Sequence, residues 1–158
     1  MKNHRIVELL EKAYAAELET VENYLANSVW LDGLQAEEAK ESLHRDVTEE
    51  LGHAQRIASR LKQLGACPPG SLKLARTQKS LQPPAKSTDI LAVVRGVVAA
   101  EEDAIALYKQ ISKVCEGVDE VTQHLAIELQ ADEEEHRCLF VGFLRSLEEH
   151  GVKHAAGR

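Results

Sequence analysis

The stretch ELQADEEEHRCLF, residues 128–140, puts five acids and a histidine inside a segment with helical periodicity. Most members of such a run are expected to face solvent. Counted at about 100° per residue, however, Glu133 falls at the middle of the apolar stripe that contains Leu129 and Phe140. The stretch therefore predicts a helix that points one acid, Glu133, towards a protein core.

Three more segments with the same periodicity each carry one glutamate at the middle of an apolar stripe: Glu17, Glu50 and Glu101. Two of the four glutamates are followed three residues later by a histidine on nearly the same helix face, giving the pairs Glu50–His53 and Glu133–His136. The spacing repeats, because 33 residues separate the first two glutamates and 32 separate the last two. The chain thus looks like two copies of one hairpin, each offering Glu, Glu and His.

These six residues form a candidate metal site. Four ionised carboxylates in an apolar core would each cost several kcal/mol unless their charge were compensated. Two divalent cations would cancel the four charges, and carboxylate and imidazole ligands suit iron or manganese. The alternative is a set of buried ion pairs with Arg137 and lysine side chains. The predicted metal ligands are Glu17, Glu50, His53, Glu101, Glu133 and His136.

The periodicity predicts an all-α fold of four long helices. Short connections join the first helix to the second and the third to the fourth, whereas residues 66–87, with all four prolines, join the second to the third. Helices of nearly 30 residues reach roughly 40 Å, a length that only the long linker can span. We therefore predict a four-helix bundle of two antiparallel hairpins joined by a long crossover. The predicted helices cover residues 3–31, 36–64, 87–117 and 119–151, giving one domain over 1–151 and a short polar tail over 152–158.

Composition excludes several classes of protein. The 158 residues include 44% hydrophobic but only 4% aromatic side chains, which favours helices packed on helices, and the net charge of −7 disfavours nucleic-acid binding. The sequence contains no apolar run of 18 residues that would predict a membrane span, and no signal peptide is evident. A cytoplasmic location is therefore expected. The three cysteines form no Cys-x-x-Cys pair, and whether Cys115 and Cys138 ever pair stays open.

Other polar residues near the stripes are expected to be less central. A second Glu-x-x-His pair, Glu41 and His44, faces away from the stripe and is predicted to lie on the surface. A surface position is also expected for the acids Glu19, Glu22, Asp46, Glu102, Asp103, Glu134 and Glu135 and for the histidines His4, His124, His150 and His154. Two of these acids have an alternative: Asp46, one turn before Glu50, as an outer acid beside the site, and Glu102 as the ligand in place of Glu101 if the register of the third helix differs. Thr20 is expected to bond its own helix backbone, or else a ligand carboxylate. Tyr24 and Tyr108 are either core aromatics or hydrogen-bond donors to ligand carboxylates, and Arg137 either pairs with an acid or extends outward.

Four segments, AELETVENYL, EELGHAQRI, AAEEDAIALY and ADEEEHRCLF, resemble the ligand-bearing segments of the ferritin-like superfamily, and of bacterioferritins in particular. The resemblance implies ferroxidase activity, with Fe(II) oxidised by O2 or H2O2 and the ferric product stored inside a hollow homo-oligomer. It also implies two iron ions per chain, with manganese or zinc as possible substitutes. By the same resemblance Glu17 and His53 hold one iron, Glu101 and His136 hold the other, and Glu50 and Glu133 bridge them.

Three departures qualify the resemblance. Leu51 and Gly52 stand where bacterioferritins have a haem-ligating methionine, and the only methionine is Met1, so no haem is expected. The sequence after the fourth helix is too short for the fifth helix of 24-subunit shells, which leaves a dimer, a 12-mer or a 24-mer open. Dps shells of 12 subunits often bind DNA through basic tails, whereas this acidic chain resembles, at most, a Dps-like protein with a bacterioferritin-type site.

Two other di-iron activities remain open at this stage. A rubrerythrin-like peroxide reductase would need an outside electron donor, because the chain lacks the paired cysteines of a rubredoxin module. An oxygenase acting on an organic substrate would need an apolar pocket beside the metals. Four residues could line such a pocket, although core packing explains them equally well: Val93, Val97, Val98 and Leu107.

Overall fold

Four long helices carry the fold in a computed structural model, which describes the backbone of residues 2–156 and the side chains of residues 3–149. The chain also forms three short 3₁₀ turns, one between the first two long helices and two within the crossover that joins the second to the third: Leu34–Ala36, Ser71–Lys73 and Lys79–Leu81. No strand occurs among the described residues. The helices are α1 (Lys2–Trp30), α2 (Glu37–Gln63), α3 (Ile90–Cys115) and α4 (Glu120–Ala156).

The helices pair as the sequence predicts. The α1 helix packs along α2 and α3 along α4, and the two hairpins meet through contacts of α1 with α3 and of α2 with α4. Gly33 and Gly117, in the two short connections, have φ angles of 106° and 64°, which favour glycine. The predicted all-α bundle of two hairpins joined by a long crossover is confirmed.

Helix boundaries agree with the prediction at most ends. Asp89 caps α3, and its side chain accepts a hydrogen bond from the backbone N–H of Ala92 at 3.1 Å. The end of α4 was predicted wrongly, because the helix continues to Ala156 instead of ending near Gly151. A single glycine costs a helix about 1 kcal/mol, and the lysine and two alanines that follow it are good helix formers. The last two residues of the predicted tail lie outside the described part of the chain.

The apolar core is divided into two clusters, with a polar layer between them. One cluster centres on Leu10, Leu61 and Leu129, and the other contains Leu43 and Phe140. The intervening layer contains the buried acids and histidines of all four helices. The centre of the bundle is therefore the place where the chain concentrates buried charge.

The crossover, residues 64–89, lies against the bundle at several fixed points. The Leu81 side chain is fully buried, and its carbonyl oxygen accepts a hydrogen bond from Asn27 Nδ2 at 2.8 Å. A Cβ atom at Gly96 on α3 would lie 2.3 Å from the carbonyl oxygen of Ser80, so only glycine allows this close approach. Trp30 Nε1 donates to the carbonyl oxygen of Pro84 at 2.7 Å.

None of the helices in the described part of the chain combines the length and the apolar character that a membrane span requires.

Candidate metal centre

The structure brings all six predicted ligands into the polar layer, and every one of them is buried. They form two groups of four that share Glu50 and Glu133, and within each group the potential ligand atoms lie within 4.8 Å of one another. One group adds Glu17 and His53, and the other adds Glu101 and His136. Two cation positions with two shared carboxylates are the arrangement that this geometry supports.

Both imidazoles turn their Nδ1 atoms towards the shared carboxylates. His53 Nδ1 lies 3.0 Å from Glu133 Oε1 and 3.4 Å from Glu50 Oε2. His136 Nδ1 lies 3.2 Å from Glu50 Oε1 and 3.2 Å from Glu133 Oε2. The two rings stack with centroids 6.3 Å apart. The i, i+3 spacing on α2 and α4 therefore places each histidine beside its own glutamate and beside that of the other helix.

Each lone acid receives a hydrogen bond from the tyrosine of the other hairpin. Tyr24 on α1 donates its hydroxyl hydrogen to Glu101 on α3, and Tyr108 on α3 donates to Glu17 on α1. Both tyrosines are fully buried. Both predicted roles of these tyrosines therefore apply: their rings are part of the core, and their hydroxyl groups donate hydrogen bonds to predicted ligand carboxylates.

Burial and mutual contact shift the pKa values of the cluster. Burial, together with the charge of Glu50, raises the pKa values of Glu17 and Glu101 well above their usual range. Burial would also raise that of Glu50, but the close approach of the His136 and His53 imidazoles outweighs it and lowers the pKa to about 2. Burial alone would lower the pKa values of both histidines, yet the neighbouring carboxylates raise them, that of His136 to about 12. Protons on the imidazoles and lone acids are one way of balancing this charge, and cations are the other.

Several buried polar atoms of the cluster have no hydrogen-bond partner. They are Glu50 Oε1, Glu133 Oε2 and His136 Nδ1. Buried groups of this kind are normally satisfied, so unpartnered atoms that converge on one point indicate a missing ligand. Carboxylate oxygens and imidazole nitrogens are suitable donors for iron, manganese or zinc. The residues present therefore fit the predicted metals.

The expected surface position of Asp46 is wrong, and the structure agrees with the alternative of an acid beside the site. Its side chain is buried one turn before Glu50, with Oδ1 3.3 Å from Arg45 and with Oδ2 unpartnered. Its oxygen atoms approach Glu49 and His136 closely enough to form a third group of potential metal ligands. The i−4 spacing from Glu50 was the sequence signal for this position.

Glu19 was also wrongly predicted to be exposed. The crossover covers it, and its two carboxylate oxygens accept the backbone N–H groups of Thr77 at 2.8 Å and Gln78 at 2.9 Å. Neighbouring Thr20 accepts a hydrogen bond at 2.6 Å from Gln78 Nε2, so both predicted partners, its own helix backbone and a ligand carboxylate, were wrong. Glu22 is exposed as predicted and pairs with Arg76 at 2.7 Å. The crossover thus uses the outer face of α1 as its attachment surface.

The remaining surface predictions are confirmed where side chains are described. Arg137 extends outward, 41% exposed, with Nη1 3.9 Å from Glu102. All three cysteines are free, Cys115 being buried and Cys138 exposed. His150 and His154 lie outside the described side chains. The exposed residues include the second Glu-x-x-His pair, Glu41 and His44, as well as Glu102, Asp103, Glu134, Glu135, His4 and His124.

A cavity of about 350 Å³ joins the cluster to the surface between α1, α3 and the crossover. We call it the α1–α3 passage. Its apolar lining consists of Leu107 and alanines, whereas Val93 and Val97 belong to the core. Its polar lining consists of Glu17, Glu50, Glu101 and Glu133 at the buried end, Thr20, Thr77 and Gln78 along the wall, and Lys12, Asp103 and Gln110 towards the outside.

The comparisons with known proteins agree with this fold. The family model described as a ferritin-like domain matches residues 7–149, so the chain belongs to the ferritin-like family. Over 134 residues it is 31% identical to a bacterioferritin of Desulfovibrio desulfuricans, covering 84% of this chain and 70% of that protein. Over 140 residues it is 28% identical to a DNA protection during starvation protein of Pyrococcus furiosus, covering 86% and 75%.

Solved structures share the fold at lower sequence identity. A dodecameric thioferritin, the bacterioferritin-related protein from Bacteroides fragilis, matches with a TM-score of 0.86 and 23% identity over 96% of this chain and 90% of that chain. The bacterioferritin of Desulfovibrio desulfuricans, solved with its di-iron site in different catalytic states, matches with a TM-score of 0.79 and 23% identity over 98% and 86%. The predicted resemblance to the ferritin-like superfamily is confirmed.

Proposed function

We propose that the protein is a ferroxidase that oxidises Fe(II) at the buried centre and stores the ferric product. The observation that carries the proposal is the pair of four-ligand groups that share Glu50 and Glu133. Glu17 and His53 complete one iron position, and Glu101 and His136 complete the other. Manganese and zinc would fit the same donors.

The chemistry requires two ions held close together. Two Fe(II) ions each lose one electron, and this pair of electrons, with two protons from the solvent, reduces O2 to H2O2 or H2O2 to two molecules of water. Hard carboxylate oxygens stabilise the ferric product relative to the ferrous substrate. Tyr24 and Tyr108 orient the lone acids, which keeps the ligand geometry fixed while the charge of the metal changes.

The passage supports an ionic substrate over an organic one. Four carboxylates lie at its buried end, and of the residues considered for an oxygenase pocket only Leu107 lines it, whereas Val93, Val97 and Val98 do not. We further propose a homo-oligomer, by analogy with the dodecameric relative, in the cytoplasm. No haem is expected, because Leu51 and Gly52 offer no thioether ligand, and the acidic charge argues against DNA binding.

An anaerobic titration with Fe(II), followed by O2 or H2O2, tests the proposal. The iron oxidised and retained per chain is counted for the wild type, for Glu50→Ala and for the control Glu41→Ala, an exposed glutamate on the same helix. We expect retention far above two irons per chain in the wild type and the control, with oxidation strongly slowed in Glu50→Ala. Oxidation that stops at two irons would indicate a non-storage di-iron enzyme, such as a peroxide reductase. Equal rates in all three proteins would refute the site.

A further inference from the structure

The two sides of the metal centre differ in how they are closed. On the α2–α4 side, the stacked imidazoles stand between the cluster and solvent. Their outer nitrogens are covered by acids, with His53 Nε2 3.4 Å from Asp132 and His136 Nε2 3.3 Å from Glu49. On the opposite side, the α1–α3 passage reaches all four glutamates without an intervening ring. The passage is therefore the more direct route for an ion to the centre.

Gln78 forms part of the wall of this passage, and its amide group is fully engaged. Its Nε2 donates to Thr20 Oγ1 at 2.6 Å and to the carbonyl oxygen of Ala16 at 3.3 Å. Its Oε1 accepts a hydrogen bond from Asn23 Nδ2 at 3.1 Å. These contacts hold the side chain against α1, in the same passage wall as Glu17, instead of leaving it free in solvent.

Glu19 determines where Gln78 lies without lining the passage itself. Its carboxylate accepts the N–H groups of two successive crossover residues, Thr77 and Gln78. Hydrogen bonds from backbone N–H groups to a buried carboxylate are stronger than those between neutral groups. The contact therefore fixes the backbone from which the Gln78 side chain extends.

We propose that Gln78, positioned by Glu19, controls the entry of divalent cations into the centre through the α1–α3 passage. This inference rests on the proposed function for its biological meaning, since the cation would be Fe(II). The entry step itself needs no oxidation, and a redox-inactive ion reports on it.

Stopped-flow binding of Co²⁺ to the metal-free protein, followed by visible absorption, tests the proposal. We expect Gln78→Ala to bind Co²⁺ faster by about threefold or more, because the wall of the passage is opened. We expect Gln78→Lys to bind it more slowly, by about tenfold at low ionic strength, because a cation would then line the route. Both variants should still bind two Co²⁺ per chain. Arg76→Gln, on the same segment but outside the passage, is the matched control and should keep the wild-type rate.

A double-mutant cycle separates positioning from general loosening of the fold. Glu19→Gln should accelerate binding in the same direction as Gln78→Ala, and the double variant should be no faster than Gln78→Ala alone. Additive effects would mean that Glu19 acts independently of Gln78.

Unchanged rates in both Gln78 variants would place the route on the α2–α4 side and overturn the inference. Should one of the Gln78 variants fail to fold, the other and Glu19→Gln still decide the question. Loss of Co²⁺ binding in Glu50→Ala, with unchanged rates in the Gln78 variants, would refute the entry route and keep the metal centre. Absence of Co²⁺ binding in the wild type would refute both.

Discussion

Tyr24 of the first hairpin donates its hydroxyl hydrogen to Glu101 of the second, 77 residues away along the chain. Tyr108 returns the same contact to Glu17. The two hairpins are thus joined at the metal centre by hydrogen bonds as well as by the shared carboxylates.

Removing either hydroxyl group should weaken metal binding. We expect Tyr24→Phe and Tyr108→Phe each to reduce Co²⁺ affinity by about 10-fold to 100-fold, because partners that orient a ligand contribute that much. Equilibrium titration measures the effect. Tyr14→Phe, a change elsewhere on α1 next to an apolar cluster, should leave the affinity unchanged. Wild-type affinity in both centre variants would show that the hydroxyl groups do not orient the ligands.

Metal binding should release protons and weaken as the pH falls. The pKa of His136 is raised to about 12, because the nearby carboxylates of Glu133 and Glu50 outweigh the effect of burial, and that of His53 is raised likewise. At neutral pH both imidazoles therefore carry a proton that a cation must displace. Calorimetric titration with Zn²⁺ in buffers of different ionisation enthalpy counts the protons released. An affinity equal at pH 6 and pH 8 would contradict this charge state.

A cation should also stabilise the fold. At a free Zn²⁺ concentration 100 times the dissociation constant, the free energy of unfolding should rise by about 2.7 kcal/mol for one site. Thermal or urea unfolding with and without Zn²⁺ measures the increase. Glu133→Gln should lose most of it, whereas Glu134→Gln, at the adjacent exposed residue, should keep it. Equal stabilisation of the two variants would argue against Glu133 as a ligand.

The contact between the crossover and α3 should tolerate no side chain at residue 96. Gly96→Ala places a Cβ atom 2.3 Å from the backbone of Ser80, so we expect a loss of about 1–3 kcal/mol in unfolding free energy. Gly142→Ala is the control, because a Cβ atom on that helical glycine would meet no neighbouring atom within 4 Å, and the variant should gain about 0.5–1 kcal/mol. Urea unfolding of the metal-free proteins compares them. A stable Gly96→Ala variant would mean that the crossover can shift without cost.

Periodicity predicted the four helices and the six residues of the cluster, because each long helix reports its own buried face. Burial that another segment causes leaves no such periodic signal. Glu19 points away from the apolar stripe of α1 and is buried only because the irregular crossover lies over it. Asp46 lies near the stripe of α2, but the sequence showed no partner that would hold its carboxylate in a buried position, and Oδ2 has none in the structure.

The crossover has a further consequence for the two proposed metal positions, whose candidate ligands match in type and number. Glu19 and Asp103 occupy equivalent places, each two residues after a lone ligand acid. The crossover binds Glu19 and buries it, whereas Asp103 stays exposed at the outer end of the α1–α3 passage. An approximate twofold symmetry of the ligands is therefore broken by a segment that contributes no ligand. We expect the two bound ions to differ in affinity and in spectrum, and so to fill in a defined order.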